Sequence, residues 1–218
     1  MKEKICPVCN NHSNFRLRKS TSDYYQCSSC RMLYCDPIDQ TDMVGGEHEI
    51  GRNESQNSLR ITRINEMTLG AKKDSINILD FGAGHGYFVR DLINAGYKNV
   101  TAYDAYNEEF SMLPEKNKYH IVTMTEVIEH IPSPFLELDV INRSLLDGGI
   151  LTVETSFVNV ADEDGIPLDD FFYIAPQNGH STIHSHHSMD LLMMQKGFIP
   201  VEHINRHVRN YRKIKNIK

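Results

Sequence analysis

The sequence predicts an α/β protein: an open, mostly parallel sheet with helices on both faces, preceded by a small four-cysteine ribbon. Three observations carry this expectation. The run ILDFGAGHGYFV, Ile78 to Val89, reads as an apolar strand closing on Asp80, a tight turn with Gly82, Gly84 and Gly86, and an apolar helix start. A second strand-like stretch, Asn99 to Tyr103, ends on another acid, Asp104. Ahead of both stand two CxxC knuckles, CPVC at Cys6 to Cys9 and CSSC at Cys27 to Cys30.

Length and composition set the bounds. A chain of 218 residues with 40% apolar content holds one α/β domain plus a small module. No apolar run is long enough to span a membrane and no leader-like segment opens the chain, so the cytoplasm is the expected location. A net charge of −6 disfavours a large nucleic-acid footprint, which needs a basic surface. The basic residues Arg206, Arg209, Arg212, Lys213, Lys215 and Lys218 near the C-terminus are expected to be solvated.

In chain order, residues 1–38 form the ribbon. Two thiolates on each knuckle can meet at one tetrahedral zinc ion, and metal would supply folding energy that the polar stretch Asn10 to Gln26 lacks. Disulfide pairing and a redox CxxC are the alternatives; a reducing compartment and the lack of a βαβ context disfavour them. With Cys6, Cys9, Cys27 and Cys30 as ligands the ion has no open position, which makes it structural, and Cys35 is left over. Residues 39–56 read as a linker because of Pro37 and the Gly45-Gly46 pair nearby, and residues 57–218 as the main domain.

Leu59, Ile61, Ile64, Met67 and Leu69 recur at helical spacing, with Gly70 as a cap, ahead of the strand Ile76 to Phe81. After the glycine turn, Phe88, Val89, Leu92 and Ile93 predict a helix ended by Gly96. Past Asp104 only Ala105 to Lys118 precede the next strand, Tyr119 to Met124. TEVIEHIPSPF then sets Glu126, Glu129 and His130 beyond a strand's carboxyl end, where open α/β sheets bind ligands. A helix Phe135 to Leu146, stopped by Asp147-Gly148-Gly149, leads to the strand Ile150 to Thr155. Asn159 to Asp170 is expected to be a polar loop or lid, and Phe171, Phe172 and Tyr173 an aromatic wall. Among the histidines that follow, His180 lies on the same carboxyl edge as His130. Ser188 should cap a helix Met189 to Lys196, before a strand Phe198 to Val201 and an antiparallel edge strand within Ile204 to Ile214.

The glycines fall as GxGxG, with Tyr87 where a dinucleotide turn has its third glycine, and Asp80 would repel a pyrophosphate. Asp80, Gly82, Gly84 and Gly86 instead meet the (D/E)xGxGxG pattern of the class I S-adenosylmethionine (SAM) methyltransferases, which the region from Ile76 to Val201 resembles. The resemblance implies a Rossmann-like sheet and SAM as methyl donor, with Asp80, Gly82, Ala83, Gly84, Gly86, Asp104 and Glu126 around the cofactor. Asp80 would lie near the methionine amino group and Asp104 on the ribose hydroxyls. Two departures stand out. The short segment after Asp104 implies a sheet one strand short and leaves the adenine-reading residue unassigned, and His120 stands where the family commonly has aspartate.

Methyl transfer from a sulfonium needs positioning, exclusion of water and, for a hydroxyl, amine or acidic carbon, a base. His180, His130 and Glu126 are the candidates for that catalytic role. The spacing of Glu126, Glu129 and His130 also suggests three ligands on one helical face, completed by His180, for Mg²⁺ or Mn²⁺. That element resembles the metal site of small-RNA 3′-terminal 2′-O-methyltransferases and of ubiquinone-pathway O-methyltransferases. The bland alternative is that the carboxylates bond backbone amides and the histidine is a core hydrogen-bonder. The expected function is SAM-dependent O- or C-methylation of a small polar acceptor, such as a sugar nucleotide, since the ribbon resembles that of certain sugar C-methyltransferases. Ribbons of rRNA guanine methyltransferases also resemble it. An RNA methyltransferase gripping RNA through Lys2, Lys4, Arg16, Arg18, Lys19 and Arg31 is the second reading, and a non-catalytic SAM- or protein-binding module the third.

Overall fold

The computed structural model describes residues 4–38 and 50–214. Most of the expected linker therefore lies outside the described residues, but its last part does not. Helix α1 (Ile50–Met67) already includes residues 50–56.

Four strands form the ribbon: β1 (Lys4–Ile5), β2 (His12–Lys19), β3 (Ser22–Cys27) and β4 (Leu33–Tyr34). Their sheet continues into a fifth strand from far along the chain, β9 (Thr182–Ile183), through the pairs Leu33↔Ile183 and Tyr34↔Thr182. The second sheet holds β5 (Asn77–Phe81), β6 (Asn99–Tyr103), β7 (Tyr119–Thr125), β8 (Leu145–Glu154), β10 (Phe198–Asn205) and β11 (Val208–Lys213), in the order β10-β11-β8-β7-β5-β6. The four strands from β8 to β6 are parallel, and β11 runs antiparallel to both neighbours. Central strands covered on both faces must be largely apolar, which is why Ile78, Leu79 and Phe81 of β5 and Ile121, Val122 and Met124 of β7 are all buried.

One face is covered by α1 and α2 (Tyr87–Asn94), through Ile64, Phe88, Leu92 and Tyr97 packed on Ile78 and Ile121. The other is covered by α3 (Phe135–Ser144) and α5 (His186–Gln195), through Leu138, Ile141, Met189, Leu192 and Met193. Ribbon residues Cys6, Val8, Cys30 and Met32 belong to this second core. The ribbon's Leu17, Tyr24 and Leu33 pack instead with Phe171, Ile174 and α4 (Val158–Glu163). The expected stripe on α1 is only partly inward, since Leu59 and Leu69 are exposed.

Several expectations need correction. Asp147-Gly148-Gly149 does not stop a helix: α3 ends at Ser144, and the glycines lie inside β8, where Gly148 takes φ +80°. The polar segment after Asn159 begins as a helix, because Val158, Val160 and Ala161 bury one side. Ser185, not Ser188, caps α5; Ser188 is its reciprocal partner in a capping box. The last strand, β11, is interior, and β10 is the edge. The C-terminal basic residues are not all solvated: Arg209 is buried against Asp190, and Lys213 donates to the Leu145 carbonyl. Lys215 and Lys218 lie outside the described residues.

The sheet has six strands among the described residues, as the short segment after Asp104 implied. That segment folds back on the glycine turn, with Asn107 Nδ2 donating to the Gly84 carbonyl. His120 has a local task, its Nδ1 accepting from the Asn77 backbone N–H.

Candidate active site

The glycine turn leaves β5 and enters α2 at the carboxyl edge of the sheet. Gly82, Gly84 and Gly86 all have positive φ, at +83°, +54° and +74°. At Gly82 the requirement is also steric, since a Cβ would stand 2.3 Å from Val127 Cγ2. Backbone N–H groups of Gly82 and Ala83 donate to the Tyr103 carbonyl, which ties the turn to the end of β6.

Asp104 braces the same turn. Its Oδ2 accepts from Gly84 N at 2.8 Å and its Oδ1 from Tyr106 N at 2.9 Å. A carboxylate oxygen has two acceptor positions, so each oxygen of Asp104 keeps one for a ligand hydroxyl. Asp80 is buried and accepts from Thr123 Oγ1 at 2.8 Å. Burial raises its acid to about 6, against the bond from Thr123 and the nearby Arg60 charge, which lower it.

A second group gathers past the ends of β7 and β8. Ligand atoms of Glu129, His130 and His180 all lie within 4.8 Å of one another. Glu126 reaches this group by another route. The expected helical face does not exist, because Glu126 has a left-handed φ of +52° and only Ile128–His130 makes a single 3₁₀ turn. Tyr173 supplies the link, its phenol lying 3.0 Å from Glu126 Oε2 and 2.5 Å from Glu129 Oε1. Thr155 Oγ1 adds a bond to Glu129 Oε2 at 3.0 Å.

Two carboxyl groups meet one phenol proton. The pattern is satisfied when Glu126 carries a proton and donates to the phenol oxygen, while the phenol donates to Glu129. The electrostatics agree: surrounding protein and then the Glu129 charge hold the Glu126 acid above the usual carboxylate range, although its side chain keeps contact with solvent. Burial and the two carboxylates likewise push the Tyr173 phenol up.

His180 is fixed through Nδ1, which lies 2.8 Å from the Tyr173 carbonyl. A carbonyl only accepts, so Nδ1 carries a hydrogen, and in the neutral ring the lone pair is on Nε2. The His130 and His180 rings meet edge to face, with centroids 5.0 Å apart.

In the ribbon, Cys6, Cys9, Cys27 and Cys30 converge, with Cys6 Sγ 3.6 Å from Cys30 Sγ and Cys9 Sγ 3.4 Å from Cys27 Sγ. Sulfurs at the corners of a tetrahedron with Zn–S bonds of about 2.3 Å stand roughly 3.8 Å apart, so the four fit such an ion. Cys35 is buried and does not belong to the group, its Sγ donating to the Asp36 carbonyl.

Three working residues escaped the sequence reading in their actual roles. Thr123 on Asp80 and Thr155 on Glu129 give no local signal, since the first acts across a strand pair and the second from the end of β8 to the turn after β7. Tyr173 reads from sequence as wall, and only the fold shows its hydroxyl between two acids.

Comparison with known proteins follows the same lines. Residues 54–203 match a methyltransferase domain. A Burkholderia thailandensis 1,6-didemethyltoxoflavin-N1-methyltransferase, solved with 1,6-didemethyltoxoflavin and S-adenosylhomocysteine, is similar over 93% of this chain and 100% of its own, at 16% identity and a TM-score of 0.57. A SAM-dependent methyltransferase from Mesorhizobium loti is similar over 74% of this chain and 99% of its own, at 12% identity and a TM-score of 0.52. No curated protein sequence matches the chain. With the domain matched over most of the chain and the strand order and glycine turn in place, the chain belongs to the methyltransferase-domain family and is a SAM-dependent methyltransferase.

Proposed function

We propose that this enzyme methylates an oxygen or carbon of a small polar acceptor, such as a sugar nucleotide or similar metabolite. The carrying observation is the convergence of Glu129, His130 and His180 on the carboxyl edge that also bears the glycine turn. In this reading Gly82, Ala83, Gly84 and Gly86 cradle SAM, Asp104 takes the ribose hydroxyls with its remaining acceptor positions, and Asp80 faces the methionine amino group. Glu126 stands between donor and acceptor. With no ion bound, the acceptor atom bonds to the methyl carbon as the carbon–sulfur bond breaks, the sulfonium becomes a neutral thioether, and the acceptor proton passes to His180 Nε2, with His130 as a neighbouring base.

The donor set of one carboxylate and two imidazoles suits Mg²⁺ poorly, since that ion takes oxygen ligands, and would hold Mn²⁺ more readily, with Glu126 as an outer partner through Tyr173. A bound divalent ion would lower the pKa of a coordinated hydroxyl and fix its orientation. The four cysteines hold a structural zinc ion. A small acceptor suits the ribbon better than RNA does, because four of its cations are already engaged: Lys4 with Asp36, Arg18 with Asp23, Arg31 with Asp162, and Lys19 with the Asp169 carbonyl. A small-molecule methyltransferase of the same fold, from Burkholderia thailandensis, is in keeping with this choice.

Calorimetric titration with SAM tests the donor site, and titration of Mn²⁺ into chelator-treated protein tests the metal. Saturable binding of each supports the reading. No SAM binding at high micromolar ligand overturns it, and no change in melting or activity with Mn²⁺ removes the metal.

A further inference from the structure

A continuous path of hydrogen bonds runs from the ribbon to the residues past the ends of β7 and β8. On one side, β9 pairs with β4 of the ribbon, and Cys35 N donates to the Ser181 carbonyl at 2.9 Å. On its other side, Ser181 N donates to the Glu129 carbonyl at 2.9 Å, and Thr182 Oγ1 to the Ile128 carbonyl at 3.1 Å. The strand carrying His180 at its entrance is thus held between the ribbon and the turn that carries Glu129 and His130.

The most direct link is Tyr24, fully buried in β3, whose hydroxyl donates to the His180 carbonyl at 2.5 Å. His180 is therefore gripped at two points, by Tyr173 at its ring and by Tyr24 at its backbone. The knuckles join the same framework. Ser185 Oγ donates to the Cys30 carbonyl at 2.5 Å, and Gln195 Nε2 to the Val8 carbonyl at 2.9 Å, so both ends of α5 are fastened to the cysteine turns.

We infer that the ribbon positions the acceptor side of the site: Tyr24 is a positioning residue for His180, and metal in the four-cysteine knuckle holds β9 and with it the Glu129–His130 turn. This rests on the proposed role of His180, but it makes a claim of its own about geometry. A ribbon that merely added stability, or that served as a separate grip for another molecule, would not need a buried bond to the residue beside the chemistry. No hydrogen bond of this path reaches the glycine turn or Asp104, so the donor side should be largely indifferent to it.

The test is Tyr24→Phe, which removes one hydroxyl and keeps the ring. Histidine ring resonances are followed in ¹⁵N-labelled full-length protein, with the His180 signal assigned from His180→Asn. The expected result is a shifted or broadened His180 signal, unchanged His184 and His207 signals, unchanged zinc content, and SAM affinity within twofold of wild type. Where Mn²⁺ binds the wild type, its affinity should fall about tenfold in the variant. An unperturbed His180 signal overturns the inference, as does a loss of SAM affinity equal to any loss at His180. Failure of Mn²⁺ to bind the wild type counts against the proposed metal alone, since the ring signals still report on positioning.

Amide hydrogen exchange on wild-type protein gives an answer that does not depend on the variant folding. Ser181 and Thr182 amides should lose at least tenfold protection when zinc is removed by a chelator, while the amides of β5 and β6 keep theirs. Equal protection with and without zinc, or uniform loss across both sheets, refutes the coupling.

Discussion

Thr123 donates its hydroxyl to Asp80 across the β5–β7 ladder, at 2.8 Å, and so fixes a buried carboxyl group beneath the glycine turn. The carboxyl is raised from 3.8 to about 6 by burial. A folded state with the higher value binds the proton more tightly, so the penalty for Asp80 is absent below about pH 4 and complete above about pH 6. Asp80→Asn should therefore stabilise the protein at pH 7, by about 3 kcal/mol, with little change at pH 4. It should also weaken SAM binding at least tenfold. Denaturant unfolding at the two pH values and calorimetry with SAM check both halves.

His184 runs in the opposite direction. It is fully buried, and burial lowers its base from 6.5 to about 4. The unfolded chain then binds the proton first, so stability is lost as pH falls from about 6.5 to about 4, by about 3 kcal/mol. Among the described residues its Nε2 has no hydrogen-bond partner, so an apolar side chain forfeits only the contact of Nδ1 with Ser188 Oγ. His184→Leu should flatten the acid limb of stability against pH. Because Asp80 and His184 oppose one another near pH 5, each single variant should reveal the slope of the other.

Gly82 and Gly148 share a left-handed backbone but not a neighbourhood. A Cβ at Gly82 collides with Val127, whereas at Gly148 nothing lies within 4 Å. Gly148→Ala should cost about 1 kcal/mol from backbone strain alone. Gly82→Ala should cost about 3 kcal/mol and abolish SAM binding. Adding Val127→Ala should recover part of the stability lost at Gly82 and none of that lost at Gly148, which a double-mutant cycle measures.

Removing the phenol oxygen between two acids should be costly for its size. Tyr173→Phe leaves Glu129, only 1% exposed, with Thr155 as its remaining side-chain donor. Destabilisation of about 1–3 kcal/mol is expected in urea unfolding at pH 7, while the His180 ring, held by the backbone carbonyl of residue 173, should keep its NMR signal.

Strands β5 to β8 and the helices between them were legible because their signals are local: apolar runs, helical stripes and glycine punctuation. The glycine turn, Asp104 and the two knuckles were legible for the same reason. What could not be read was anything made by two distant segments. Ser185 and Ser188 compete for one cap within three residues, and only the chain direction into α5 decides between them. Glu126, Glu129 and His130 have helical spacing, yet the left-handed Glu126 breaks the helix and Tyr173 restores the connection. Arg209 and Lys213 look like surface charge until β11 is placed between β8 and β10.

The pairing of Leu33 with Ile183 also bears on how the chain is made. Residues of β4 leave the ribosome long before those of β9, so the ribbon's outer strand waits with an open edge while the whole glycine turn and β5 to β8 are synthesised. Metal can close the cysteine knuckle during that interval, but the edge cannot. The ribbon sheet is completed only after the enzyme's own site segments exist, which makes its completion a late, long-range step in folding and gives truncated chains ending before β9 an unpaired strand to aggregate through.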